Sequence, residues 1–575
     1  MRYLLPYLKK YRRDCILAPL LKLLESCFEL FVPLVIAYTI DQGIIGKNPD
    51  AIRNSFWLLF LLAAVGFAAA ISAQYFAAHA AVGFAGDLRK TLFEKILSFS
   101  NKDIDRIGTA TMITRMTSDI QGLQNGVNLT LRLFLRSPCI VFGAMIMAFT
   151  VDFQSALIFV FTIPILAAIV FGIMAITVRM HKKVQKGLDR LMMRLKESLD
   201  GVRVLRAFRL EKAQASAFEK ENKELKKRQL TSGGYSALTA PLTFLVINLA
   251  TLILIYTDAI QIKIGSLSGG EVIALYNYMA QILVELIKLA NLIVTMTKAK
   301  ACGDRVWAVL SMEDDPSTQA QNVPSQNCDK DTVVEFKNAT LRFSDNADPV
   351  LDDICLQVKR GETIGIIGGT GSGKSALVNL IPRFYDVSEG NVWVFGKDVR
   401  EYRPEELRRR IGVVEQKGNL FSGSIRDNLN FGGKQAEDAA LWKALSLAQA
   451  EDFVREKGGL DALVEQGGRN FSGGQRQRLT IARALVGDPE ILILDDASSA
   501  LDYLTDASLR TALKTLSNTT VFLVSQRTAS LKSADKILVL DNGKAVGLGT
   551  NETLLSHCAV YQEIYNSQFK GGDNR

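Results

Sequence analysis

Apolar positions are spread unevenly along the chain. Over the first ~310 residues they run in long blocks parted by short polar stretches; further on they fall in short runs between glycine-rich turns and amphipathic stretches. A helix needs about 20 mostly apolar residues to cross a bilayer. Six segments supply them: 16–40, 56–84, 122–149, 156–178, 236–256 and 272–296, the third and fifth being the least apolar. Two polar stretches between these spans, 86–121 and 179–229, keep helical periodicity under dense charge and hold few Gly or Pro breakers. They predict helices that continue well past the membrane. Such helices could be a solvated hairpin or a lever reaching the second domain, with contact near the turns 103–108 and 201–208.

Composition and charge agree with a membrane half. Of 575 residues, 48% are hydrophobic, the mean hydropathy of +0.14 is high for a soluble chain, and the net charge of +9 is modest for this length. The basic residues flank apolar segments instead of forming one face, which excludes a nucleic-acid partner. Lys182, Lys183, Lys186, Arg190, Arg194, Arg203, Arg206 and Arg209 crowd one connecting segment, while the opposite loops carry only Lys47, Arg53 and Lys263. Lys and Arg favour the cytoplasmic side, so both termini are expected inside, as an even number of spans requires. The seven cysteines form no CxxC pair and indicate neither a zinc site nor a disulfide framework. No cleavable leader is evident; the basic start MRYLLPYLKKYRRD predicts a helix lying on the inner membrane surface.

Polar residues within the spans are costly and mark function or pairing. Lys22, Glu25 and Glu29 share one face of the first span, Arg132 and Arg136 lie a turn apart in the third, and Asn277, Gln281, Glu285 and Lys288 form a stripe in the sixth. They could line a water-filled substrate path, or pair between helices, Glu25 or Glu29 with Arg132 or Arg136; one residue can do both. A polar segment at 313–332, with Pro316 and Pro324, is expected to link a membrane domain, 1–312, to a nucleotide domain, 333–575.

The second half carries the chemistry. ETIGIIGGTGSGKSALVNLI reads as a buried strand, a glycine-rich turn and a helix, the context that identifies a phosphate-binding loop. Gly368, Gly369, Thr370, Gly371, Ser372, Gly373, Lys374, Ser375 and Ala376 would wrap a nucleotide's phosphates, with Lys374 on the outer phosphates and Ser375 on Mg²⁺. Ser472, Gly473, Gly474 and Gln475 open a further helix and make a second anion site. The apolar strand ILIL ends in Asp495, a carboxylate placed for the Mg²⁺ shell.

Phosphate loop, SGGQ, then a strand ending in Asp is the order of the ATP-binding-cassette (ABC) family, which the whole chain resembles. The resemblance implies a six-helix α transmembrane domain with long intracellular helices, of the ABC exporter type, fused to an α/β P-loop ATP-binding cassette. It implies ATP and Mg²⁺ as ligands, with Phe343 stacking on adenine and Gln416 contacting Mg²⁺ or the attacking water. It also implies that SGGQ closes over ATP held by an opposite cassette. Two positions depart from the family pattern. Asp496 stands where a Glu normally serves as general base, and Gln526 stands where a His normally contacts the γ-phosphate. Asp is one methylene shorter, and a base must come within hydrogen-bond reach of its proton; Gln cannot become cationic.

Both departures in one site resemble the degenerate-site subunit of bacterial heterodimeric, multidrug-type exporters. The expected protein is a multi-pass component of a bacterial cell membrane, its nucleotide domain and both termini cytoplasmic. Its partner would be a second ABC half-transporter, and its substrate a small amphipathic or hydrophobic compound. Its own site would bind ATP and hydrolyse it weakly. A homodimer exporting lipid, peptide or drug with two slow sites is the alternative; an ATP-sensing membrane regulator is the alternative of another class.

Overall fold

The computed structural model describes residues 2–312, 331–343, 347–431 and 435–569. It divides into two units: a membrane unit of residues 2–96 and 110–312, and a cassette unit of residues 97–109 with the described residues from 331 onward. The expected linker, 313–332, lies outside the described residues except at its end, where the first cassette strand already begins at Thr332.

The membrane unit is helical throughout its long elements. Five helices are long and apolar enough to cross a membrane among the described residues: Pro49–Leu97, Thr109–Val151, Phe153–Asp200, Glu211–Ile264 and Gly269–Leu310. The first expected span is also a continuous helix, Arg12–Tyr38, 27 residues long, but it, and not the third or fifth as expected, is the one too polar to join these five, because it carries Lys22, Glu25 and Glu29. The expected extensions are present, since the second and fourth helices run unbroken to Leu97 and Asp200. Two spans differ from expectation. The third is interrupted at 134–135 into Ile120–Leu133 and Arg136–Val151, so Arg136 opens a new helix. The fifth breaks at Leu238 and spans Thr239–Ile264, ending on Gly265 in the left-handed region.

Local chemistry sets several helix ends. Asp152 caps Phe153–Asp200 by accepting from the Ser155 N–H, and Ser268 and Glu271 form a reciprocal capping box at the start of Gly269–Leu310. That last helix is the hub of the unit. It packs on Arg12–Tyr38, Ile120–Leu133, Arg136–Val151, Phe153–Asp200 and Thr239–Ile264. Tyr278 is fully buried there, and its hydroxyl donates to the Leu30 carbonyl at 2.7 Å.

Between the second and third spans, the short helix Asn101–Ile107 is capped by Ser100 and stopped by Gly108 at φ +79°. This turn belongs to the cassette unit, whereas the turn at 201–208 belongs to the membrane unit. The Tyr385 hydroxyl donates to Asp105 at 2.8 Å and ties the first turn to the cassette.

Two main sheets build the cassette. The four-stranded sheet is antiparallel and holds Thr332–Leu341 between Leu351–Lys359 and Glu389–Val394. The six-stranded sheet runs in the order Lys544–Gly549, Lys536–Asp541, Thr363–Gly368, Thr520–Val524, Ile491–Asp495, Ile411–Val414. All but the Lys544–Gly549 edge strand are parallel. Both faces of this sheet are covered, so its strands read as near-continuous Ile, Leu and Val.

Candidate functional site

Strand order brings distant motifs together. In an open α/β sheet, ligands sit outside the carboxyl ends of the parallel strands. Four adjacent strands end at one edge here. Thr363–Gly368 leads into the phosphate loop, Thr520–Val524 into Gln526, Ile491–Asp495 into Asp496, and Ile411–Val414 into Gln416. A cavity of about 280 Å³ lies there, lined by Val350, residues 370–376, Gln416, Asp495, Asp496, Val524 and Gln526.

The loop's backbone requires its glycines at three points, one of them Gly371 at φ +82°. Gly373 has φ +95°, and a Cβ on it would approach the Val350 carbonyl to 2.8 Å; one on Gly368 would meet the Leu540 carbonyl at 2.2 Å. Gly369 and Gly371 have open space beside them, where phosphate oxygens could approach. The Lys374 ammonium curls back over the loop and donates to the Gly368 and Gly369 carbonyls at 2.9 and 2.6 Å. Burial pushes its pKa down, while Asp496 and Asp495 pull it back up.

The two carboxylates have distinct surroundings. Burial raises the Asp495 pKa, opposed by a hydrogen bond with Ser375 and by Lys374. Burial also raises the Asp496 pKa, opposed mainly by Gln416, while the neighbouring Asp495 charge adds to the rise. Gln416 Nε2 donates to Asp496 Oδ2 at 3.2 Å. Asp496 adopts φ +49°, an uncommon region for a residue with a Cβ. Two crowded carboxylates beside a hydroxyl form a hard oxygen donor set that fits Mg²⁺. Ser375 and Asp495, which line the cavity, would be the residues to hold it, with Gln416 beside Asp496.

The remaining expected residues lie elsewhere. Ser472 is exposed, and its hydroxyl caps Gly473–Leu485 by accepting from the Gln475 N–H, while the Gln475 side chain accepts from the Ser472 N–H. Gly473 has nothing within 4 Å of a would-be Cβ. Ser472, Gly473, Gly474 and Gln475 do not line the cavity made by their own phosphate loop. Phe343 is also outside its lining; it stands edge-on to Tyr385, with ring centroids 5.3 Å apart. Three residues near the site carried no motif signal: Val350 and Val524, which line the cavity, and Tyr385, which supports Phe343.

The polar residues of the membrane unit form a network. Arg136 donates to Glu25 at 3.0 Å and to Glu29 at 2.7 Å, joining two helices. On the last helix, Gly269–Leu310, Glu285 accepts from Ser137 at 2.8 Å and from Lys288 at 2.6 Å. Of the expected alternatives, Arg136 takes the interhelical pairing. Arg132 joins no ion pair among the described residues, and its Nε is buried without a partner. Pairing does not close the space: cavities of about 510 and 260 Å³ flank the cluster and share Glu29. The first is otherwise lined mainly by apolar side chains, including Phe28, Leu59, Leu62 and Phe67.

Comparison with known proteins follows the same division. Residues 15–286 match the family described as ABC transporter transmembrane region, and residues 351–499 match the one described as ABC transporter. An uncharacterized ABC transporter ATP-binding protein of Mycobacterium tuberculosis is 36% identical over 572 residues, covering 98% of this chain and 97% of that protein. Another from Bacillus subtilis is 34% identical over 570 residues, covering 99% of each. The solved structure of a bacterial Atm1-family ABC exporter with ATP bound superposes with a TM-score of 0.77 at 21% identity, covering 97% of this chain and 98% of its own.

Proposed function

This chain belongs to the ABC transporter family, as an exporter-type membrane region fused to its ATPase domain, and we propose that it works as one half of a heterodimeric exporter of small amphipathic or hydrophobic compounds. It is an integral membrane protein. We place it in a bacterial cell membrane with the cassette and both termini in the cytoplasm, on the distribution of Lys and Arg.

One observation carries the heterodimer: the departures Asp496 and Gln526 line the same cavity. A carboxylate one methylene short, already accepting from Gln416, is a poor base for a water beside the outermost phosphate. A misplacement of roughly 1 Å can cost on the order of 100-fold in rate. The phosphate loop has no such defect, so its residues 368–376 would hold ATP. Mg²⁺, carried by Ser375 and Asp495, would offset the phosphate charge. The signature residues 472–475, intact and outside this cavity, would complete the site held by the partner. The two slots are then unequal: one retains nucleotide, the other turns it over.

Purification of the chain alone and with a co-expressed second cassette subunit tests this. The chain alone should show little ATPase in nanodiscs, and the pair should show robust ATPase together with vesicle transport of amphipathic compounds. High turnover by the chain alone would remove the basis for the heterodimer.

A further inference from the structure

Gln526 enters the cavity from the end of Thr520–Val524, after which the chain turns into the short helix Thr528–Leu531. One residue far along the chain holds that turn. Gln568 lies in the last turn of the helix Ala559–Phe569. Its Nε2 donates to the Gln526 carbonyl at 2.7 Å. Its Oε1 accepts from the Thr528 N–H and from the Thr528 hydroxyl, both at 2.9 Å. A single carboxamide therefore straddles Arg527 with three hydrogen bonds.

The clamp has a firm base. Tyr561, in the same helix, is fully buried and donates to Asn551 at 2.8 Å. The segment just beyond the turn is held separately, where Arg510 donates to the Ala529 carbonyl at 3.1 Å and Ser530 donates to Asp506 at 3.0 Å. Ser525 Oγ also accepts from the Arg527 N–H at 3.0 Å, but among the described residues only Gln568 bonds to Gln526 and Thr528 together.

A neutral amide meets a phosphate through a directional hydrogen bond, without the charge assistance that an imidazolium would add. Its contribution therefore depends on where its own backbone is fixed. We propose that Gln568 is a positioning residue for Gln526: it fixes the turn so that the Gln526 carboxamide meets the terminal phosphate of a nucleoside triphosphate, and so sets the preference of this site for tri- over diphosphate. This rests on Gln526 being the phosphate-facing residue of the site.

The test uses the full-length chain in nanodiscs, with Mg·ATP and Mg·ADP displacing a fluorescent ATP analogue. Gln526→Ala should lower the ATP-over-ADP preference. Gln568→Ala should lower it by about threefold to tenfold, the worth of one hydrogen bond, through ATP affinity and with ADP affinity unchanged. Gln568→Glu should do the same, since it keeps the acceptor for Thr528 but sets an oxygen against the Gln526 carbonyl. It also provides a near-isosteric variant should the alanine form fold poorly. In the Gln526→Ala background, Gln568→Ala should cause no further loss. An unchanged preference in both Gln568 variants, while Gln526→Ala lowers it, overturns the positioning role and leaves the phosphate-facing assignment standing. No change with Gln526→Ala overturns both. An undiminished Gln568→Ala effect in the Gln526→Ala background shows that Gln568 acts on the fold instead, and overturns the proposal.

Discussion

Asp496 shows at residue scale how a binding site is kept at the expense of stability. It holds φ +49°, follows a second carboxylate, and is partly buried with its pKa raised. Asp495 is raised as well, again mainly by burial. A folded-state pKa above the unfolded one means that the folded protein binds the proton more tightly. Folding stability therefore falls as pH rises from the ordinary carboxylate range through the raised values, and returns on acidification across the same window. Asp496→Asn removes the charge and keeps an acceptor for Gln416. It should raise the thermal midpoint of the nucleotide-free protein at neutral pH, and the gain should shrink as pH falls through that window. A lower midpoint at neutral pH would show that the carboxylate is stabilised in place. That two acidic residues end this strand was plain from ILILDD. That Gln416 lies against the second of them was not, because the contact depends on the pairing of Ile411–Val414 with Ile491–Asp495.

At the scale of elements, breaks in helices decide which charges meet. The interruption at 134–135 starts a new helix at Arg136, which reaches Glu25 and Glu29, while Arg132, one turn earlier, stays outside the network. The two arginines looked equivalent in the sequence, since periodicity places both on one face and says nothing of a local break. The structure predicts unequal consequences. Arg136 and Glu25 have side chains only 14% and 16% exposed, so removing the arginine leaves Glu25 with Lys22 alone and Glu29 without its partner. Arg136→Gln should cost on the order of 3 kcal/mol, the scale for breaking a buried pair, and lower the thermal midpoint in detergent. Arg132→Gln should change it little or raise it. Equal losses would mean that Arg132 has an acidic partner in the assembled transporter. Elements also explain the long polar hairpin: its turn at 97–109 joins the cassette unit, through contacts such as Tyr385 with Asp105.

For the whole molecule, the cassette's functional residues fall into two groups. Lys374, Ser375, Gln416, Asp495, Asp496 and Gln526 surround one cavity, while Ser472 to Gln475 stand outside it. In the proposed pair, substitutions in the two groups should therefore have unequal effects. Gly473→Ala adds a Cβ in space that is open within this chain, so it should spare folding and abolish most ATPase at the partner's site. Asp496→Ala should leave most of the pair's ATPase intact. Equal losses in a side-by-side assay would argue for two equivalent sites. The sequence by itself determined the division into membrane and nucleotide halves, the six apolar segments, the phosphate loop, the signature turn and the two departures. These are local signals: a bilayer needs a contiguous apolar run, and a phosphate is wrapped by consecutive backbone N–H groups. Only the tertiary structure decided that Arg136 and not Arg132 pairs, that the turn at 97–109 joins the cassette unit, and that Gln568 clasps Gln526. Those contacts join residues 40 to more than 250 positions apart. Their partners are single polar side chains whose meeting depends on strand order, helix breaks and packing, none of which leaves a periodic trace in the chain.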